Sequence, residues 1–129
     1  MKVGFTGTRE GMTQSQKEQF VLKFYELNVC EFHHGDCRGA DEEANNIVRE
    51  FFPDVFIVIH PPRLTYQRAY CKGDEIREPD DYLPRDRRIV DYTDALIGAP
   101  KFDKEDKSGS WYTIRYARAS GKDFYVMKR

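Results

Sequence analysis

The chain has 129 residues, 40% hydrophobic and 33% charged, which is enough length and apolar content for one folded domain. Its 21 basic and 22 acidic residues leave a formal charge of -1, which argues against bulk attraction to nucleic acid or membranes. The three cysteines match no zinc spacing, and no basic and apolar leader opens the sequence. We therefore expect a cytoplasmic protein (host cytoplasm if a phage encodes it) with no metal and no membrane association.

Strand-like and helix-like segments alternate along the chain. Short apolar runs predict five strands: Lys2–Thr6, Val29–His33, Val55–Ile59, Ala95–Ala99 and Asp123–Met127. Helices are predicted after the Thr13–Gln16 capping box, over Ala40–Phe51, over Arg85–Tyr92, and from Ser110 to Gly121. This order predicts an α/β fold: a doubly wound, mainly parallel five-stranded sheet with helices on both faces.

Residues 61–83 form the least regular stretch, rich in proline and charge. A long irregular segment inside a compact domain is usually functional, so we expect a lid-like element within a single domain 1–129. Its tyrosines, Tyr66, Tyr70 and Tyr82, could cover either a ligand or a partner subunit. A homodimer therefore stays open.

Glycine-containing turns follow three of the predicted strands. Ligands of doubly wound sheets bind at the carboxyl ends of the strands, where glycines and helix N-termini offer backbone N–H groups to anions. The predicted binding residues are Gly7, Thr8, Arg9, Gly35, Asp36, Arg38, Gly39, Ala40, Asp41, Arg85, Ser108, Gly109, Ser110, Trp111 and Thr113. They favour a small-molecule ligand with a phosphate, such as a nucleotide, although simple tight turns would also explain the glycines. No GxGxxG fingerprint is present, so no cofactor is predicted.

Several of these residues have two interpretations. Asp36 could hold a ribose hydroxyl at the tip of its strand, and Asp41 could equally be a first-turn acid favoured by the helix dipole. Arg85 is expected to contact phosphate across the cleft. Trp111 could stack on a base or pack against the sheet. Cys37 precedes a helix, which lowers a thiol pKa, but no paired base is evident.

Four segments resemble the SLOG superfamily, which includes the LOG phosphoribohydrolases and the DNA-processing protein DprA. They are GFTGTR (4–9), HGDCRGADEEA (34–44), RDRRIVDYTDALIGAP (85–100) and SGSWYTIRYA (108–117). The resemblance implies a Rossmann-like fold that binds nucleotides or nucleotide-derived molecules at these loops.

The resemblance to LOG enzymes is incomplete at the catalytic residues. Their catalytic arginine lies nine residues before the aspartate that opens a strand, a spacing that here relates Arg85 to Asp94. Their catalytic glutamate would fall on Thr113 or Tyr116, and neither is a carboxylate. We therefore expect binding, with or without turnover. The alternatives are a nucleoside monophosphate N-glycosidase that uses Asp36 and Arg85, and single-stranded DNA binding, which the near-zero net charge disfavours.

Overall fold

The computed structural model describes all 129 residues and contains one six-stranded, entirely parallel sheet. The strands are β1 (Lys2–Gly7), β2 (Glu31–His34), β3 (Phe56–Ile59), β4 (Glu75–Ile76), β5 (Ala95–Ala99) and β6 (Asp123–Val126). The helices are α1 (Gln14–Glu26), α2 (Ala40–Phe51), α3 (Tyr82–Asp91) and α4 (Gly109–Ala119), with a 3₁₀ turn at Thr65–Gln67. The strand order is β4-β3-β2-β1-β5-β6, so the winding reverses between β1 and β5.

Each face of the sheet has its own core, which confirms the doubly wound prediction. On one face, Phe20 and Phe24 of α1 and the stripe Ala40, Ala44 and Val48 of α2 pack against β1 and β3. The other face is covered by α3 and α4, whose buried residues meet β5; they are Ile89, Val90, Trp111, Ile114 and Ala117. No helix has both the length and the apolar character needed to cross a membrane.

Two helix starts show how local sequence fixes the elements. At α1 the predicted capping box is present: Thr13 Oγ1 accepts from the Gln16 N–H, and the Gln16 side chain accepts from the Thr13 N–H. At α4 the cap is Ser108, whose Oγ accepts from the Trp111 N–H at 3.3 Å, rather than the predicted Ser110. This shift places the N–H groups of Gly109 and Ser110 at the first turn of α4.

The irregular segment contributes a sixth strand that the sequence analysis missed. Glu75 and Ile76 of β4 pair with Val58 and Ile59 of β3 at the edge of the sheet. A two-residue strand is too short to show periodic hydrophobicity, so pattern reasoning cannot find it. α3 also begins earlier than predicted, at Tyr82, and keeps Pro84 in its first turn.

The loops after β1 and β2 are in direct backbone contact. Gly39 has a φ of +91°, and a Cβ atom there would lie 2.2 Å from the carbonyl oxygen of Arg9. The Ala40 N–H donates to the carbonyl of Thr8 at 3.0 Å, which ties the start of α2 to the first loop. Only glycine meets both the backbone and the space requirement at this position.

We therefore expect Gly39→Ala to destabilise the fold by about 2 kcal/mol or more, because backbone strain and steric overlap act together. Gly109→Ala is the matched control, since a Cβ at Gly109 meets no atom within 4 Å. Urea unfolding of both variants measures the difference. Equal stability of the two would show that the contact with Arg9 does not constrain the loops.

Candidate functional site

A cleft of about 620 Å³ opens at the carboxyl ends of β1 and β5, where the winding reverses. Most of the predicted binding residues line it: Gly7, Thr8, Arg9, Gly35, Asp41, Arg85, Ser108, Gly109 and Ser110. The lining also includes residues that the sequence analysis did not select, among them Cys37, Tyr82, Leu83, Asp86, Lys101, Phe102 and Lys107. Three chain segments predicted to converge thus meet around one cavity.

Asp36 lies outside the cleft lining and is fully buried beside the irregular segment. Its two carboxylate oxygens accept from the Cys71 N–H and from Arg68 Nε, both at 2.8 Å. Its carbonyl accepts from the Ala69 N–H, and its φ is +57°. The carboxylate therefore fixes residues 68–71 against β2. Of residues 61–83, only Tyr82 and Leu83 line the cleft.

The N-terminus of α2 is occupied by the protein itself. The Arg38 N–H donates to Gln67 O, the Ala40 N–H to Thr8 O, and the Cys37 N–H to the Asp41 carboxylate. Arg38, Gly39 and Ala40 consequently do not line the cleft. The sequence predicts an anion site at this helix start, but these N–H groups already donate to other residues of the protein.

Trp111 and Thr113 do not line the cleft and are buried on α4. Trp111 Nε1 donates to Phe102 O at 3.0 Å, and its ring belongs to the core between α3, α4 and β5. Thr113 is fully buried, and its hydroxyl donates to Gly109 O at 2.9 Å. Of the two interpretations of Trp111, the structure supports packing.

Arg85 forms the floor of the cleft and is only 6% exposed. Nη1 donates to Gly35 O at 2.6 Å and to His60 O at 3.3 Å, and Nε donates to Asp86 at 2.8 Å. Nη2 has no oxygen partner, and its nearest acceptor is Cys37 Sγ at 3.8 Å. The guanidinium is thus held along two edges and leaves one nitrogen toward the cavity.

Burial controls the protonation of the other floor residues. Desolvation raises the pKa of both Asp41 and Asp86, although the Arg85 charge opposes the rise in each case. Burial also raises the pKa of the Cys37 thiol to about 11, so the lowered value expected for a nucleophile next to a helix is absent. The floor is therefore an Arg85 guanidinium flanked by two carboxyl groups and a protonated thiol.

The Arg85 guanidinium should be essential for stability. We expect Arg85→Met to cost about 3–5 kcal/mol, because it leaves buried Asp86 without its partner and removes two donors from backbone carbonyls. Arg87→Met on the same helix is the control, since the Arg87 side chain meets only the Tyr112 hydroxyl near the surface. Denaturant unfolding at pH 7 compares them. A similarly small effect in both would contradict the assigned role of Arg85.

The mouth of the cleft carries the unpaired positive groups. Arg9 is exposed, forms no ion pair, and stacks over the Tyr82 ring at 4.8 Å, while Arg85 approaches the same ring at 5.3 Å. Lys107 also has no ion-pair partner, whereas Lys101 pairs with Glu10 at 3.0 Å. Beside Lys107, the N–H groups of Gly109 and Ser110 have no acceptor in the protein. The start of α4 is therefore an open helix N-terminus in this cleft.

Some of the missed residues left a signal in the sequence. Tyr82, Asp86 and Ile89 are spaced at i, i+4 and i+7, so a helix begun at Tyr82 places them with Arg85 on the side that faces the sheet. Because the predicted helix began at Arg85, it did not include Tyr82, and the pattern was not detected. Lys101 and Lys107 belong to a loop read only as charged, and nothing in their spacing distinguishes them from Lys104.

Two histidines lie behind the floor. His33 Nδ1 and His60 Nε2 are 2.8 Å apart, and His33 Nε2 meets Glu31 at 2.7 Å. His34 points to the opposite face and bonds Asn45 of α2, as strand alternation predicts. Burial lowers the pKa of His60 to about 3 and also lowers that of His33. The backbone carbonyl of His60 accepts from Arg85, so the histidine pair lies directly against the floor.

The lowered pKa of His60 predicts a loss of stability in acid. Below pH 6.5 the unfolded chain protonates His60, whereas the folded chain resists protonation down to about pH 3. Unfolding therefore takes up a proton in this window. The free energy of unfolding decreases as the pH is lowered, by at most about 1.4 kcal/mol per pH unit. His60→Gln should reduce that slope in urea titrations from pH 7 to pH 4. An unchanged slope would exclude His60 as a contributor.

Comparison with known proteins identifies the fold. No protein-family model and no curated protein matches the chain. The X-ray structure of TM1055, a Northeast Structural Genomics Consortium target, is similar with a TM-score of 0.66 and 18% identity, over 95% of this chain and 71% of that chain. At this level of identity the likeness extends to the architecture, a Rossmann-like α/β fold.

Proposed function

We propose that the protein binds a nucleotide or a nucleotide-derived ligand in this cleft, with the phosphate at the start of α4. The observation that carries the proposal is the pair of unpartnered N–H groups, on Gly109 and Ser110, that face the cavity. A helix N-terminus adds a partial positive charge to such donors, and together they favour an anion. The resemblance to the SLOG superfamily, carried by residues 108–117 among others, points to the same ligand class.

The distribution of charge supports a phosphate at the mouth rather than at the floor. Lys107 and Arg9 are free of ion pairs at the mouth, whereas Arg85 already has a carboxyl partner in Asp86. An anion on the floor would also approach the carboxyl group of Asp41. This arrangement argues against the phosphate contact that the sequence suggested for Arg85.

The size and lining of the cleft suit the remainder of a nucleotide. Its volume of about 620 Å³ lies in the range that binds ligands of this size. Phe102 and Leu83 line the mouth and are 55% and 48% exposed, so each offers an apolar surface to a base. We assign to these two residues the contact with the base that the sequence analysis considered for Trp111.

N-glycosidic hydrolysis of a nucleoside monophosphate is a second candidate. It is favoured by the two carboxyl groups beside Arg85, because burial raises the pKa of both and so favours the protonated form that a general acid needs. Asp36, the catalytic candidate of the sequence analysis, is bonded to Arg68 and Cys71 instead. In this candidate mechanism Asp41 or Asp86 takes its role. Release of free base from AMP, GMP, CMP or UMP, measured by chromatography, separates turnover from binding alone.

Gly109→Pro tests the phosphate site. Proline lacks the N–H but is favoured at the first position of a helix, and Ser108 already has the extended backbone (φ -68°, ψ 160°) that proline requires before it. We expect unchanged folding, but binding of nucleoside 5′-monophosphates weakened about tenfold or more by calorimetry, because a charge-assisted hydrogen bond is lost.

Gly109→Ala is the matched control, because it adds a side chain at the same place and keeps the N–H. Binding by the alanine variant should stay close to that of the native protein. Equal weakening in both variants would point to steric blocking instead of a lost donor. The proposal is contradicted if no nucleoside monophosphate binds the native protein or raises its melting temperature.

A further inference from the structure

The floor of the cleft contains one hydrogen-bond donor with only a weak sulfur partner and one acceptor with no partner in the protein. Arg85 uses Nε and Nη1 for Asp86 and two carbonyls, which leaves Nη2 with only a sulfur at 3.8 Å. Asp41 uses Oδ2 to accept from the Cys37 N–H at 3.1 Å, and its Oδ1 accepts nothing. Both residues are 6% exposed and line the cavity. The floor therefore offers one donor and one acceptor to a group that enters the cavity.

The charge of the floor restricts which group can bind there. An anion would meet the carboxyls of Asp41 and Asp86, and a cation would meet the guanidinium of Arg85. A neutral group that donates one hydrogen bond and accepts another can bond both Asp41 Oδ1 and Arg85 Nη2 without burying a new charge. Hydroxyl groups have this property, and two adjacent hydroxyls can address the carboxylate and the guanidinium together.

The floor is also rigid, which suits recognition of a particular group. A Cβ at Gly35 would lie 2.5 Å from Arg85 Nη1, so the backbone that follows β2 lies directly against the guanidinium. The carbonyls of Gly35 and His60 fix the plane of Arg85, and the Cys37 N–H fixes the orientation of Asp41. Groups held in place before binding lose little entropy when the ligand arrives.

We propose that Asp41 Oδ1 and Arg85 Nη2 bind the sugar hydroxyls of the ligand, and that this pair makes the protein select ribonucleotides over 2′-deoxyribonucleotides. The inference rests on the proposed function, because it assumes that the phosphate lies at Gly109 and Ser110. The sugar then lies over the floor, and the base lies toward Phe102 and Leu83 at the mouth. Asp41 is thereby a specificity-determining residue.

Calorimetry with AMP, GMP, CMP and UMP against dAMP, dGMP, dCMP and dUMP tests the inference. A site built to bond a hydroxyl discriminates strongly against the analogue that lacks it, so we expect the ribonucleotide to bind at least about tenfold more tightly. Asp41→Asn keeps an oxygen for the Cys37 N–H but exchanges the free acceptor for an amide, and should reduce this ratio. Glu42→Gln, one residue along α2 and outside the cleft, should leave it unchanged.

The outcomes separate this inference from the proposed function. If ribo- and deoxyribonucleotides bind the native protein equally, hydroxyl recognition by the floor is wrong while nucleotide binding stands. If Asp41→Asn keeps the native ratio and a native melting profile, Asp41 does not determine it. If neither series binds, both proposals are wrong. The comparison of ligands on the native protein decides the matter even if the Asp41 variant does not fold.

Discussion

The guanidinium of Arg85 connects the elements that surround the cleft. It extends from α3 to the carbonyls of Gly35 and His60, at the ends of two neighbouring strands, and lies between the carboxyls of Asp41 and Asp86. A buried charge is tolerated only with partners of opposite charge and good hydrogen-bond acceptors. The position of α3 and the orientation of the floor residues therefore depend on the hydrogen bonds and carboxyl partners of this one side chain. The cavity lies above it.

The cleft separates two kinds of polar chemistry. Its floor combines carboxyl groups with a paired guanidinium, whereas its mouth has unpaired Arg9 and Lys107 beside the open N-terminus of α4. A molecule with a phosphate at one end and hydroxyl groups in the middle matches this change of environment from the mouth to the floor. A polyanion matches it poorly, because the cleft itself has only two unpaired cations, Arg9 and Lys107, at its mouth.

The architecture and the location of the cleft could be predicted from the sequence, because in a parallel sheet the loops that follow the strands all lie at its carboxyl edge. The roles of Asp36 and α2 could not. Asp36 is bonded to Arg68 and Cys71, which lie 32 and 35 residues away in an irregular segment without periodicity. The start of α2 is covered because Gly39 permits the close approach of Arg9, a contact that depends on tertiary packing.

A crystal structure with the nucleoside 5′-monophosphate that binds most tightly tests the central claim most directly. The account predicts phosphate oxygens within hydrogen-bond distance of the Gly109 and Ser110 nitrogens, and sugar hydroxyls above Arg85. A phosphate bound to Arg85 itself, or a nucleotide bound away from the start of α4, would contradict it.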